Sequence, residues 1–283
     1  SFSTDAVGET DVGTLDLGSN NNQLDITADG PTEDSRLKID SQLKVDFIDT
    51  VTIDGGQDVT FAGGFGEDSN GDTGLSEIDA SNSSGDIDLG TLTVGDGRNQ
   101  IGSGTDEGIT FTLKGGDGKL TATLDEVVDK SDAAQVIETG SGGSDITIGG
   151  FATGATAANT IEFTGGSGDD AVTIDTNIGT QHGAGGNSIT IDGGQGSNSL
   201  KVDFNNAADD VEASVSNVGT FTIEGMAGEL TLEFTEFLED ASEGDVTISD
   251  FAGSDVLFKA GEADSNVDLS TGGLATVISD AQG

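Results

Sequence analysis

The chain has 283 residues, with 53 acidic against 9 basic side chains and a formal net charge of -44 at pH 7. It contains no Cys, Trp or Tyr and a single His, which excludes disulfides and Cys-based zinc sites and argues against a His-dependent catalytic triad. The scarcity of Lys and Arg excludes nucleic-acid binding through phosphates, and no run of about 18 apolar residues exists for membrane insertion.

So high a density of carboxylates opposes folding, because like charges on one compact body repel each other. Bound Ca²⁺ would cancel the charge locally, since it takes 6–8 oxygen ligands. High ambient salt would screen the repulsion instead, by shortening the Debye length to a few ångströms. Both conditions indicate an extracellular or cell-surface protein.

Short runs of alternating apolar and polar residues recur along the whole chain, and this period of two is typical of half-buried β-strands. Gly, Asn, Asp and Ser clusters, which form turns, separate the runs. In chain order the main runs are residues 15–17, 24–26, 37–39, 43–47, 51–53, 59–61, 87–89, 92–94, 109–113, 120–124, 146–148, 161–163, 172–174, 189–191, 200–204, 221–223, 230–234, 246–248 and 256–258. Residues 125–132 and 234–241 are the best candidates for short helices, and the second could equally prolong a strand.

These strands predict an all-β protein, and their shortness, together with 46 Gly residues, favours a degenerate β-solenoid of the parallel β-helix kind with Gly/Asp-rich corners. The alternative is a pair of tandem β-sandwich or jelly-roll domains. Residues 1–36 are predicted to form an N-terminal strand pair or arm, which either donates a strand during assembly or caps the solenoid. Residues 37–283 form the β-rich body.

The first candidate calcium site is the acidic stretch of residues 68–79. Oxygen-bearing side chains occupy positions 1, 3, 5, 9 and 12 of this stretch, which is the ligand spacing of an EF-hand loop. These candidate ligands are Asp68, Asn70, Asp72, Ser76 and Asp79. The stretch departs from an EF-hand at Thr73, where Gly is expected, and at Asp79, where Glu is expected. The alternative interpretation is a solvated acidic turn.

The second set of candidates lies in glycine-rich nonapeptides of the form G-G-x-G-x-D-x-U-x, where U is a large apolar residue. Residues 165–173 match this form, residues 193–201 match it with Asn in the Asp position, and residues 115–120 match its first four places. The glycines allow tight turns whose carbonyls face a cation, and the acidic residue adds a carboxylate. The candidate ligands are Gly165, Gly166, Gly168, Asp169, Asp170, Gly194, Gly196 and Asn198. The alternative is an ordinary glycine-rich turn.

These nonapeptides, together with residues 245–258, resemble the RTX superfamily. The sequence patterns of residues 52–57 and 78–89 are similar to those of its calcium-dependent secreted surface-layer and adhesin branch. The resemblance implies a secreted, Ca²⁺-binding β-solenoid that folds outside the cell, often after type I export. Because the nonapeptides are isolated rather than consecutive, it implies scattered single sites at corners rather than a continuous calcium-filled β-roll.

The composition argues against an enzyme, because no aromatic platform for sugars exists without Trp or Tyr, and most Lys residues lie inside the strand-like runs. We therefore predict a self-assembling extracellular structural protein, a surface-layer or matrix-fibre subunit stabilised by Ca²⁺, whose partner is a further copy of itself. The alternative is a calcium-dependent adhesin or binding module that contacts a cell-surface glycan.

Overall fold

A computed structural model describes residues 2–4, 9–12, 23–29, 36–44, 48–66, 75–92, 110–124, 134–149, 160–175, 188–204, 210–225, 229–236, 245–248, 255–260, 266–268 and 276–279. Within these ranges the chain is all-β and contains no helix. The strands form two sheets in which every pairing is parallel, and successive strands alternate between the sheets along most of the chain. One pass through sheet 1 and then sheet 2 is called a coil here, and the coils stack into a β-solenoid.

The strands of both sheets are short. Sheet 1 has twelve, which are β1 (Phe2–Thr4), β3 (Gln23–Ala28), β6 (Thr50–Asp54), β9 (Glu77–Asp79), β11 (Thr110–Lys114), β13 (Ala134–Glu138), β15 (Thr160–Thr164), β17 (Ser188–Asp192), β19 (Asp210–Ser216), β21 (Glu229–Glu236), β23 (Asp255–Ala260) and β25 (Thr276–Ser279). Sheet 2 has thirteen, which are β2 (Glu9–Val12), β4 (Arg36–Ile39), β5 (Leu43–Lys44), β7 (Asp58–Phe61), β8 (Phe65–Gly66), β10 (Ile87–Leu92), β12 (Leu120–Leu124), β14 (Ser144–Ile148), β16 (Asp170–Asp175), β18 (Ser199–Phe204), β20 (Thr220–Gly225), β22 (Asp245–Ile248) and β24 (Asn266–Asp268).

The core lies between the two sheets, because alternate residues of each strand point inward. In β6, for example, Val51 and Ile53 are fully buried while their neighbours are partly exposed. The parallel register places equivalent inward residues above each other in columns, and each fully buried aliphatic side chain contributes roughly 1.5–3 kcal/mol. One such column consists of Val51, Ile78, Leu113, Ile137, Phe163, Ile191 and Val215.

Two short strands of sheet 2, β5 and β8, lie off its main strand order near the N-terminal end of the stack. There β5 pairs with β8, and β8 pairs in turn with β10. Phe65 of β8 packs against Phe61 of β7 with ring centroids 4.7 Å apart and a tilt of 45°. These rings are among the largest fully buried side chains of the described core.

The solenoid predicted from the sequence is confirmed, and the sandwich alternative is wrong, because long parallel sheets cannot arise from hairpin-connected sandwiches. Residues 234–236 belong to β21, so this part of the helix candidate is strand. Residues 125–132 and 237–241 lie outside the described residues. Strands β1 and β2 each pair with the following coil rather than with each other. The boundary at residue 36 stays a prediction.

Glycine is required where the corners of successive coils touch. At Gly116 an added Cβ would clash with the carbonyl oxygen of Ser83 and would lie 2.6 Å from that of Ala80, both backbone atoms of the preceding coil. At Gly56 the nearest atom to an added Cβ is the Ser84 hydroxyl at 3.5 Å, which is an ordinary contact. The close stacking of coils therefore excludes any larger residue at some corner glycines, such as Gly116, and leaves room for a Cβ at others, such as Gly56.

We expect Gly116→Ala to destabilise the fold by about 1–3 kcal/mol, because overpacking against backbone cannot be relieved by a rotamer change. The matched control, Gly56→Ala, should cost nothing and could stabilise by about 0.4–1 kcal/mol by restricting the unfolded chain. Denaturant midpoints of the two variants measure the difference. Equal midpoints would contradict the stacking of residue 116 on the coil below.

Candidate functional site

The glycine-rich nonapeptides lie at the corner where the chain passes from sheet 1 to sheet 2. Residues 165–170 and 193–198 occupy this corner in adjacent coils, since Ala171 pairs with Ser199 immediately afterwards. Backbone hydrogen bonds join the two corners, and the N–H of Gln195 donates to the carbonyl of Gly166 at 2.8 Å. Motifs that are 28 residues apart in sequence are thus in direct contact.

The coil formed by β13 and β14 separates the strong nonapeptide at 165–173 from the partial one at 115–120. Its corner, residues 139–143, does not match the nonapeptide, yet it occupies the same place in the stack. The register shows this, because Leu120 pairs with Ser144 and Ser144 pairs with Asp170. Residues 139–143 are therefore direct neighbours of the nonapeptide corner at 165–170, although they do not match the motif.

Asp170 points into the corner and is only 2% exposed. Its Oδ1 accepts hydrogen bonds from the hydroxyls of Ser144, at 2.7 Å, and Thr139, at 3.0 Å, both in the preceding coil. Its Oδ2 is buried without a hydrogen-bond partner among the described residues. Burial raises the pKa of Asp170 above its ordinary value of 3.8; the hydrogen bonds from the Ser144 and Thr139 hydroxyls oppose this effect, and the charge of Asp169 adds to it.

Asn198 occupies the equivalent place in the next coil and is 3% exposed. Its Oδ1 accepts the backbone N–H of Asp170 at 3.0 Å. Its Nδ2 donates to the carbonyl of Asn217 at 3.0 Å and to that of Gln195 at 3.2 Å. Both heavy atoms of the amide are therefore satisfied within the corner, which is what a buried polar side chain requires.

Asp169 instead faces the outside of the corner, where its Oδ1 accepts the backbone N–H of Ser197 in the next coil at 2.8 Å. The same arrangement recurs earlier in the chain. Asp58 accepts the N–H of Asp86 at 3.0 Å, and Asp86 accepts the N–H of Lys119 at 2.9 Å. Sequence analysis missed this role of Asp in fastening one coil to the next. Its only signal is an Asp at the first residue of a sheet-2 strand or directly before it.

The glycines predicted as ligands lie in the same two corners. An added Cβ on Gly166 or Gly168 would clash with backbone of the coil below, so both permit close stacking. Gly194 and Gly196 have positive φ values of 67° and 99°, which Gly adopts without strain. The N–H of Gly194 donates to Oδ1 of Asp192 at 3.0 Å. An added Cβ on Gly165 would lie 2.6 Å from Oδ2 of Asp170.

Only part of the 68–79 stretch can be located, because Asp68, Asn70 and Asp72 lie outside the described residues. The hydroxyl of Ser76 donates to the carbonyl of Asp49 at 3.0 Å. Oδ1 of Asp79 accepts the N–H of Ser81 at 3.0 Å. Burial alone would raise the pKa of Asp79, but the bonds from Ser81 and the charge of Lys114 lower it. Convergence of the five residues on one ion stays a prediction.

The described residues contain no group of three or more His, Cys, Asp or Glu side chains arranged to hold a metal ion. A calcium site at the corners would therefore combine a carboxylate with backbone carbonyls, both of which are hard oxygen donors that suit Ca²⁺. The unpartnered Oδ2 of Asp170 fits this donor chemistry. The Asn198 amide is hydrogen-bonded through both its oxygen and its nitrogen, and its role as a ligand stays a prediction.

The outer face of sheet 1 shows how the chain tolerates its negative charge. In one outward column acidic residues alternate with other residues from coil to coil, which keeps carboxylates about 9.6 Å apart at twice the strand spacing. The order is Asp25, Thr52, Asp79, Lys114, Glu138, Thr164, Asp192 and Ser216. Lys114 stands between two acidic neighbours, and its Nζ lies 2.6 Å from Oε1 of Glu77 and 3.9 Å from Oδ2 of Asp79.

Comparison with known proteins found no matching family model, no matching curated protein and no matching solved structure. In the ranges that the structure covers, no helix is long and apolar enough to cross a membrane.

The raised pKa of Asp170 predicts a pH effect on stability in metal-free protein. Between 3.8 and the raised value the folded state holds a proton that the unfolded state has lost, so the free energy of unfolding falls as pH rises through this window. Asp170→Asn removes the titration and places an N–H donor at the unpartnered position. We expect it to stabilise the metal-free protein at pH 7 by about 1–3 kcal/mol.

This gain should shrink as the pH is lowered towards 4, because the wild-type carboxyl then becomes neutral too. Glu162→Gln, which removes an exposed carboxylate from the same coil, is the matched control and should show no such pH dependence. Denaturant midpoints in EDTA from pH 4 to 8 provide the measurement. A pH-independent difference between wild type and the Asp170 variant would contradict the prediction.

Lys114→Met should destabilise the protein by about 0.2–1 kcal/mol at low salt, because it removes the cation that separates acidic residues in the column. In 1 M NaCl the loss should nearly vanish, since the Debye length falls to about 3 Å. Lys119→Met is the matched control, because it removes the same charge from a half-exposed side chain. Nζ of Lys119 lies 3.7 Å from Oδ2 of Asp145. An equal salt-dependent loss in both variants would show that only net charge matters.

Proposed function

We propose that this chain is a self-assembling extracellular structural protein, a surface-layer or matrix-fibre subunit, in which calcium neutralises the acidic surface. The observation that carries the proposal is the parallel stacking itself. Among the described strands, β1 and β2 have neighbours on one side only, and so do β24 and β25 at the other end. The edge of a parallel stack can pair through its backbone N–H and C=O groups with strands of another chain.

The two ends of a parallel stack differ, so the first coil of one copy is complementary to the last coil of another and not to itself. A contact between unlike surfaces of this kind does not close on itself by a two-fold axis and builds open filaments or arrays. A second copy of this chain is therefore the proposed occupant of each edge, added as further parallel strands.

Calcium enters the proposal through electrostatics. Each added copy brings a formal charge of -44, and association of such bodies is opposed unless counterions accompany it. The RTX-like nonapeptides support Ca²⁺ as the counterion, and seawater-strength salt is the alternative. Carboxylates held two coils apart on sheet 1 reduce the repulsion within a coil stack but do not remove it.

The first test is circular dichroism and light scattering on EDTA-treated protein, titrated with Ca²⁺ and separately with Na⁺ at matched ionic strength. We expect Ca²⁺ alone to produce large, ordered particles. Folding to a monomer in Ca²⁺ would favour the adhesin module instead. Equal responses to both cations would show that the acidity is a salt adaptation.

An edge variant sharpens this test. Val277→Pro places a residue that lacks an N–H donor in β25, which should block further pairing while leaving the body of the stack folded. Ala281→Pro, beyond the end of β25 at Ser279, is the matched control. Loss of scattering in the first variant alone, with unchanged circular dichroism, is expected. Undiminished particle growth of Val277→Pro would contradict assembly through this edge.

A further inference from the structure

The corner between β9 and β10 carries an Asn side chain that the fold does not use. Asn82 is exposed there, and its amide makes no hydrogen bond to any other described residue. The Asn residues of two later corners differ from it, because the amides of Asn198 and Asn217 are hydrogen-bonded to neighbouring coils. Among these three corner residues, Asn82 therefore has the amide nitrogen that is open to reaction with a group outside the protein.

Asn82 also begins a tripeptide of the form N-x-S/T, which is the acceptor sequence for N-linked glycans. The tripeptide is Asn82-Ser83-Ser84. No other Asn of the chain is followed two positions later by Ser or Thr, so the sequence contains one acceptor. An attached glycan is bulky and polar, and it requires a position on the surface of the folded protein. The exposed corner meets this requirement.

The fold directs the first and third side chains of the tripeptide outward and the middle one inward. Asn82 and Ser84 are exposed, and the Ser84 hydroxyl makes no hydrogen bond within the described part of the chain. Ser83 is 3% exposed, and its hydroxyl oxygen lies 3.3 Å from each of two backbone carbonyl oxygens. Its N–H donates to the carbonyl of Ala80 at 2.9 Å, which closes a tight turn with Asn82 near its tip.

We infer that Asn82 is an N-glycosylation site of this protein. The donor is a sugar that is activated as a phosphate ester at its anomeric carbon. Nδ2 of Asn82 forms a bond to that carbon and loses one proton, while the bond from the carbon to the phosphate oxygen breaks and the phosphate leaves with the electron pair. The inference rests on the extracellular location in the proposed function, and it is independent of calcium binding and of assembly.

The contacts of the tripeptide indicate when the transfer takes place. The N–H of Ser84 donates to the carbonyl of Gly55 in the preceding coil at 2.9 Å, and the carbonyl of Ser83 accepts the N–H of Asp117 in the following coil at 2.8 Å. A transferase that binds Asn82 and Ser84 together must also accommodate the residue between them, which is buried after folding. The transfer therefore precedes the stacking of this coil, and the attached glycan stays outside the stack.

The experiment compares intact masses of the protein purified from the cells that produce it and of the same chain made in a bacterial host that lacks N-glycosylation. We expect the first mass to exceed the second by one glycan, and electron-transfer fragmentation to locate this glycan on Asn82. A preassembled oligosaccharide would identify a lipid-linked donor and a single hexose a nucleotide sugar, and both support the site.

Two variants made in the producing cells, Asn82→Gln and Ser84→Ala, should both lose the glycan. Ser84→Thr is the matched control and should retain it, because the hydroxyl is kept. Ser84→Ala separates recognition by the transferase from the mere presence of Asn82. In unglycosylated protein the Asn82 variant should have the denaturant midpoint of wild type, since the Asn82 amide makes no hydrogen bond to other described residues.

A mass equal to that of the sequence in protein from the producing cells would overturn the inference. A glycan that persists in Ser84→Ala, or that is found only on Ser and Thr hydroxyls, would overturn it as well. Light scattering with Ca²⁺ keeps this inference apart from the proposed function. Glycosylated Asn82 without particle growth supports the site and contradicts self-assembly, whereas calcium-driven growth of a chain without glycan supports self-assembly and contradicts the site.

Discussion

The parallel, in-register stacking of coils is the constraint on which the rest of this structure depends. Each residue of a strand lies about 4.8 Å from the equivalent residue in the next coil. Side chains at equivalent positions of successive coils are therefore in contact, and their attraction or repulsion is repeated along the stack. Apolar residues gain from this repetition, as in the buried column that runs from Val51 to Val215. Carboxylates lose by it, and the chain must arrange them accordingly.

Two arrangements make the acidic composition compatible with stacking. In some columns acidic residues skip a coil, as in sheet 2 where Thr121 separates Asp88 from Asp145, whereas Asp175, Asp203 and Glu224 follow one another in successive coils. At the corners, carboxylates accept backbone N–H groups of the next coil, as Asp58 and Asp86 do. The first arrangement limits repulsion, and the second converts a charge into a bond between coils, so much of the acidity has a structural use.

The alternating pattern predicts the strands, because inward and outward positions repeat every two residues whatever the coil length, and the short strands with glycine-rich corners predict the solenoid. It was not sufficient to predict which residues meet. Coils differ in length, so the contact of Lys114 with Glu77, 37 residues away, has no fixed spacing to reveal it. The partners of Asp170 were missed for a related reason: Thr139 and Ser144 belong to a corner without the motif. The motif identifies Asp170, but it does not show that the Asp170 side chain points into the corner.

The corner column that contains Asp170 changes character along the stack. Leu37, Val59, Ile87 and Leu120 fill it in four successive coils, and Ser144, Asp170 and Asn198 follow in the next three. Replacing aliphatic with polar side chains gives up hydrophobic burial, and hydrogen bonds between coils can offset the loss only where every polar atom is satisfied. Ser144 and Asn198 meet this condition within the protein, whereas Asp170 does not. Among the side-chain polar atoms of Ser144, Asp170 and Asn198, Oδ2 of Asp170 is thus the one that lacks a hydrogen-bond partner within the described residues.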